Sequence, residues 1–225
     1  LGLGGSPFQH ARSRWFVDHL AEEAALCREL GKPMHFLGIG VQDASELADP
    51  AVRNVLRQAG QTWTRDAASA RRIRSFDAHV RVAAAADLAH VHLAAEPPPP
   101  AQRGTVAVVA NFDYGDWPGR DAVLDALEAT RPARKIWLAQ EARELPGAER
   151  AIHAALPESR RRGWELVAPD VPGAPLASAM ARWAGAELIV TSRYHAALTA
   201  AWAGTRVVVI ATNEKLRAAA AKLRR

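Results

Sequence analysis

One cysteine, two methionines and two tyrosines in 225 residues leave little material for several kinds of chemistry. Cys27 stands alone, so no intrachain disulfide can form; this fits a reducing compartment. No apolar run approaches the roughly 18 residues of a membrane span, and no basic then apolar leader opens the sequence. The expected setting is the cytoplasm. Zinc-finger spacing, an aromatic and basic RNA signature and a helix-turn-helix pattern are also missing, so nucleic acid is not expected as a partner. His90-Val91-His92 would place two imidazoles on one face of a strand, yet no third Cys, His or carboxylate is identifiable nearby, and no metal site is expected.

What is abundant is arginine. The chain carries a net charge of +5 and a pI near 10.0. Much of the excess lies in short groups: Arg71-Arg72, Arg160-Arg161-Arg162 and Arg224-Arg225. Such a field suits phosphorylated substrates or the inner face of a membrane, giving peripheral association there, and equally describes plain solvated faces. Hydrophobic residues at 49% and charged residues at 24% are enough to bury a core, in one large domain or two small ones.

Strand and helix patterns alternate along the chain. Leu1 to Ser6 reads as a strand end with a glycine turn at Gly4 and Gly5, and the beginning of this first domain looks missing. A helix is expected over 10–30, stopped by Gly31, then a strand over 33–41, in which Gly38 and Gly40 admit a close approach by acceptor or by another loop. A helix over 50–59 starts at Asp49-Pro50, and a short strand over 61–64 ends at Arg65-Asp66. Arg65 can serve as an anion-binding arginine or pair with Asp66, while Asp66 or Ser69 can cap the helix that runs through Phe76. Asp87 reads as a loop aspartate.

Glu96-Pro97-Pro98-Pro99-Pro100 is the clearest boundary, because a proline run is stiff and continues neither a helix nor a central strand. The expected domains are 1–96 and 101–225, joined by a linker over 97–100. Beyond it, strands are expected over 106–110, 135–139 and 165–167, with helices over 121–129, 146–156 and 175–183. Asp113 and Asp116, in the loop after the first of these strands, can act as a base toward a sugar hydroxyl or serve as ordinary turn residues. This alternation on both sides of the linker predicts an α/β fold: two Rossmann-like domains facing across a cleft, of glycosyltransferase-B type, the first incomplete.

The densest functional signal lies between Glu187 and Lys215. An apolar run at Leu188 to Val190 and another at Val207 to Ile210 flank a helix over 196–202 that Gly204 stops. Thr191-Ser192-Arg193-Tyr194-His195 therefore falls at the carboxyl end of a parallel strand, where such sheets deliver residues to ligands. If the segment stays extended, Arg193 and His195 share a side; on a helix they diverge by about 200°. Ser192 is placed to cap the helix, whose first amides would join the guanidinium and imidazole in an anion site. Lys215 adds a positive charge from the loop after the next strand.

The stretch SRYHAALTAAWAGTRVVVIATNEKL resembles the C-terminal signature of polysaccharide pyruvyl transferases, where Arg-x-His opens a helix and a Lys follows the next strand. Thr64-Arg65-Asp66-Ala67-Ala68-Ser69 resembles that family's Arg-Asp-x-x-Ser segment, and Ala86-Asp87-Leu88-Ala89 its following strand end. The resemblance implies transfer of the enolpyruvyl group of phosphoenolpyruvate to two sugar hydroxyls as a pyruvate ketal, in cell-surface polysaccharide biosynthesis. It implies no cofactor beyond that donor substrate. The acceptor would be a sugar or glycan, free or linked to lipid or nucleotide, lying against the N-terminal half. Arg193 would hold the donor's carboxylate or phosphate, His195 would protonate the methylene carbon or assist phosphate departure, and Lys215 would neutralise the leaving phosphate. Arg65, Ser192, Gly4 and Gly5 are the further substrate-binding candidates. A glycosyltransferase gripping a nucleotide sugar with Arg193 and Lys215, or a non-catalytic binding module, also fits the residues.

Overall fold

A computed structural model describes residues 1–10, 13–95, 97–111, 117–140, 148–168 and 183–223. The chain divides into two compact units, Leu1–Ala95 and Glu96–Arg225.

In the first unit, strands β1 (Gly2–Leu3), β2 (Met34–Ile39), β3 (Ala59–Thr64) and β4 (Val82–Ala84) form one sheet in that order, with every neighbouring pair parallel. The crossovers carry α1 (Trp15–Glu29), α2 (Pro50–Gln58) and α3 (Ala67–Phe76). The starts of α2 and α3 have a local cause. The Asp49 side chain accepts from the Ala51 amide at 2.8 Å ahead of Pro50, and Asp66 accepts from the Ser69 amide at 2.7 Å. Phe8, Phe36, Ile39, Leu47, Leu56 and Ile73 are among the apolar side chains that close this core.

His90 and His92 depart from the expected strand: they lie on a helix, α4 (Ala89–Ala95). Asp87 causes it by accepting from the Ala89 amide at 3.0 Å, and the burial pattern is helical, Leu93 inside and Val91 out. Among the described residues, no group of three or more His, Cys, Asp or Glu is placed to hold a metal ion.

In the second unit, β5 (Gln102–Val109), β6 (Arg134–Leu138), β7 (Glu165–Val167), β8 (Ala186–Thr191) and β9 (Arg206–Val209) form a parallel sheet in the order β7-β6-β5-β8-β9. The helices described here are α5 (Arg120–Ala129), α6 (Glu149–Ala154), α7 (Glu158–Arg161), α8 (Tyr194–Trp202) and α9 (Glu214–Leu223). Both faces of the sheet are covered. Val106 and Val108 pack with Leu124, Trp137 and Ile152, while Ala107 and Val109 pack with Ile136, Ile189 and Ala200 on the other side. A strand buried on both faces needs an unbroken apolar run rather than alternation, and β5 supplies it.

The expected helix over 175–183 falls almost entirely outside the described residues, as do Asp113 and Asp116; α6 is described from Glu149 onward. Among the described residues, no helix is long and apolar enough to cross a membrane.

Candidate active site

Strand order reverses direction between β5 and β8, and in open parallel sheets ligands gather beyond the carboxyl ends of the strands at such a point. Two contacts fasten this spot. The Thr191 hydroxyl donates to the Val109 carbonyl at 2.8 Å. Ser192 Oγ donates to the Asn111 carbonyl and accepts from the Asn111 amide, both at 2.7 Å.

Ser192 is thus not the helix cap that its position predicts. Its hydroxyl is committed across the sheet to the end of β5, and Arg193, still extended at φ −105° and ψ 131°, takes the capping position of α8 with no side-chain capping bond. Thr191 Oγ1 supports the turn instead, accepting from the Arg193 amide at 2.8 Å. The chain becomes helical at Tyr194, so the extended alternation that would have aligned Arg193 with His195 ends before the imidazole.

Arg193 has a partner that sequence reasoning missed. Its Nε donates to Glu149 Oε1 at 2.6 Å and one Nη donates to Oε2 at 3.2 Å. The Glu149 side chain is fully buried, whereas that of Arg193 is 26% exposed. Glu149 opens α6, and its backbone carbonyl accepts from the buried Trp137 indole at 2.8 Å, which pins the start of the helix to β6. The one available signal was an acid in the first turn of a helix that follows a strand's carboxyl end, the same logic that singled out Arg193.

Lys215 lies in the first turn of α9 rather than in a loop, and its Nζ sits 4.3 Å from the centroid of the Tyr194 ring. At that distance the ammonium is attracted to the negative face of the ring. Tyr194 in turn meets the His195 ring edge-on, centroids 5.3 Å apart, and His195 is exposed. The Tyr194 ring therefore meets both His195 and Lys215, while Arg193, its neighbour in the chain, is held by Glu149.

The other three candidates assemble in the first unit. Gly4 and Gly5 take positive φ values of 64° and 71°, turning the chain after β1. The Gly5 carbonyl accepts from an Arg65 Nη at 3.3 Å, and Ser6 Oγ from the other at 3.0 Å. Arg65 Nε stands 3.7 Å from Asp66 Oδ2. The arginine side chain is only 2% exposed, and Gly40 explains how it fits: a Cβ there would lie 2.3 Å from the guanidinium. Of the two approaches foreseen for Gly40, the structure places a side chain from the next strand end against it. Ser6 and Gln42 extend the network at 3.3 Å.

No curated protein matches this sequence significantly. Among solved structures, the chain is similar to HepE of Anabaena in complex with UDP, with a TM-score of 0.51 and 14% identity over 86% of this chain and 57% of that one. UGT2 of Phytolacca americana, complexed with UDP-2fluoro-glucose and pterostilbene, aligns with a TM-score of 0.45 and 11% identity over 89% of this chain and 56% of that one. The chain thus spans a little over half the length of these structures. The likeness to HepE is one of fold, and it agrees with two Rossmann-like α/β units of glycosyltransferase-B type. The family model for polysaccharide pyruvyl transferase matches residues 3–214, nearly the whole sequence, a range that holds every candidate residue but Lys215. The chain belongs to the polysaccharide pyruvyl transferase family.

Proposed function

We propose that this chain transfers the enolpyruvyl group of phosphoenolpyruvate to two hydroxyls of a sugar, forming a pyruvate ketal in cell-surface polysaccharide synthesis in the cytoplasm. The observation that supports this reading is the contact of Tyr194 with His195 and Lys215, beside Arg193 at the carboxyl end of β8, within a family of pyruvyl transferases. Phosphoenolpyruvate presents a carboxylate and a phosphate, and a guanidinium fork with an ammonium matches that pair. No cofactor is needed, because the donor itself carries the activated group.

The chemistry balances in two steps. In the first, one acceptor hydroxyl oxygen bonds to C2 of the donor while the methylene carbon C3 takes a proton from His195 and becomes methyl. The hydroxyl's proton then restores the imidazole. In the second, the bond from C2 to the phosphate oxygen breaks with its electron pair leaving on phosphate, which Lys215 neutralises. The second hydroxyl oxygen bonds to C2 and its proton leaves with the phosphate. The products are the ketal and inorganic phosphate. Arg193 orients the donor and does not exchange a proton. Arg65, held by the Gly5 carbonyl and Ser6, is proposed as a second element of anion recognition, with Gly4 and Gly5 shaping its loop; Ser192 supports the site by fastening β8 to β5.

Phosphate release measured by phosphorus NMR, with phosphoenolpyruvate and a panel of sugar acceptors, tests the reading. Ketal formation by the parent, with turnover at least about tenfold lower in His195→Gln at nearly unchanged donor affinity, is the expected result. Thermal stabilisation by nucleotide sugars and none by phosphoenolpyruvate would refute it.

A further inference from the structure

Glu149 lies outside the segments whose sequence resembles the family's motifs, yet it holds Arg193 through two hydrogen bonds. Its carboxylate is fully buried and takes both Nε and one Nη of Arg193. A guanidinium held along one edge by two hydrogen bonds loses rotation about its terminal torsions, and its plane is fixed. The carboxylate cannot follow the arginine outward. It sits on the first residue of α6, whose carbonyl is tied to the Trp137 indole at 2.8 Å, and Trp137 lies fully inside the core of the second unit. The chain of support runs from β6 through Trp137 to Glu149 and on to Arg193 at the end of β8.

We propose that Glu149 is a positioning residue, setting the plane of Arg193 for an anionic ligand that Glu149 itself does not touch. For the identity of that ligand, phosphoenolpyruvate, the inference rests on the pyruvyl-transfer reading. The consequence is preorganisation: an arginine ordered in advance loses less side-chain entropy when the ligand arrives, and a bidentate partner meets it in one orientation only.

The test is a double-mutant cycle of Glu149→Gln and Arg193→Lys in the full chain, read by calorimetric titration with phosphoenolpyruvate and by nitrogen NMR of the arginine Nε groups. Glu149→Gln should weaken donor binding about tenfold, should weaken it no further once Arg193 is lysine, and should speed solvent exchange of the Arg193 Nε proton. A merely structural role would lower the melting temperature yet leave donor affinity within about twofold and the cycle additive, which would overturn the proposal. If the parent ignores phosphoenolpyruvate but inorganic phosphate shifts the Arg193 Nε signal in the parent and not in Glu149→Gln, the donor assignment fails and the positioning role stands. No response of that signal to either anion overturns both.

Discussion

Removing Arg193 should damage the fold more than removing its partner does, because the two ends of the pair are unequally buried. In Arg193→Ala the Glu149 carboxylate stays where no solvent reaches it and loses two hydrogen bonds of 2.6 and 3.2 Å. Stranding a buried charge in this way costs about 3–5 kcal/mol. For a chain of this size each kcal/mol moves the melting temperature by about 2–4 °C, so the loss should be roughly 6–20 °C. In Glu149→Ala the arginine is left behind instead, with a side chain already 26% exposed, and water can replace part of what it loses. That variant should lose only about 1–3 kcal/mol. The double variant removes both charges and should be more stable than Arg193→Ala alone. Urea unfolding of the three variants and the parent, followed by tryptophan fluorescence, measures all these differences. A loss below about 1 kcal/mol in Arg193→Ala, or a double variant equal to the sum of the singles, would refute the reasoning. The same numbers decide how function should be probed: Arg193→Lys keeps a cation beside Glu149 and separates lost binding from lost folding.

Three further outcomes follow from other parts of the chain. Gly40→Ala would drive a methyl group to 2.3 Å from the buried Arg65 guanidinium, and should cost about 1–3 kcal/mol in thermal unfolding, as overpacking does. Asp66→Ala removes the acceptor for the Ser69 amide at the start of α3 and should lower stability by about 1 kcal/mol in the same assay. Burial holds the His153 imidazole below its ordinary range, so the unfolded chain takes up a proton more readily than the folded one. The stability linked to His153 is therefore complete above about pH 6.5 and lost as the pH falls, and unfolding measured from pH 7.5 to 5 should be less acid-sensitive in His153→Gln.

The strands of the second unit were legible because a fully covered parallel sheet writes itself as apolar runs, and β5 does so over Val106 to Ala110 and β8 over Leu188 to Val190. The helix starts at Asp49 and Asp66 were legible because a cap acts within three residues. His90 to His92 misled for the opposite reason: so short a stretch also reads as a strand, and it is the Asp87 cap that starts a helix, with Leu93 buried and Val91 exposed. At the candidate site, the sequence named Arg193, His195 and Lys215 from strand-end position alone. It could not name Glu149, 44 residues before Arg193, because nothing local says where α6 will come to rest. Nor could it see that Ser192 would be claimed by Asn111 before it could cap a helix, since that depends on how β5 and β8 end side by side.

That pairing also sets a timetable for synthesis. Val109 and Thr191 are 82 residues apart, so at about 5–20 residues per second the ribosome releases β5 some 4–16 seconds before its partner on that edge exists. The first sheet has no such wait, because each of its strands pairs with the one made just before it. During the interval the growing chain carries a bare, wholly apolar strand edge at Val106 to Val109, the kind of edge to which other chains add themselves. Nascent chains halted before Thr191 are thus the stage at which this protein most needs a chaperone.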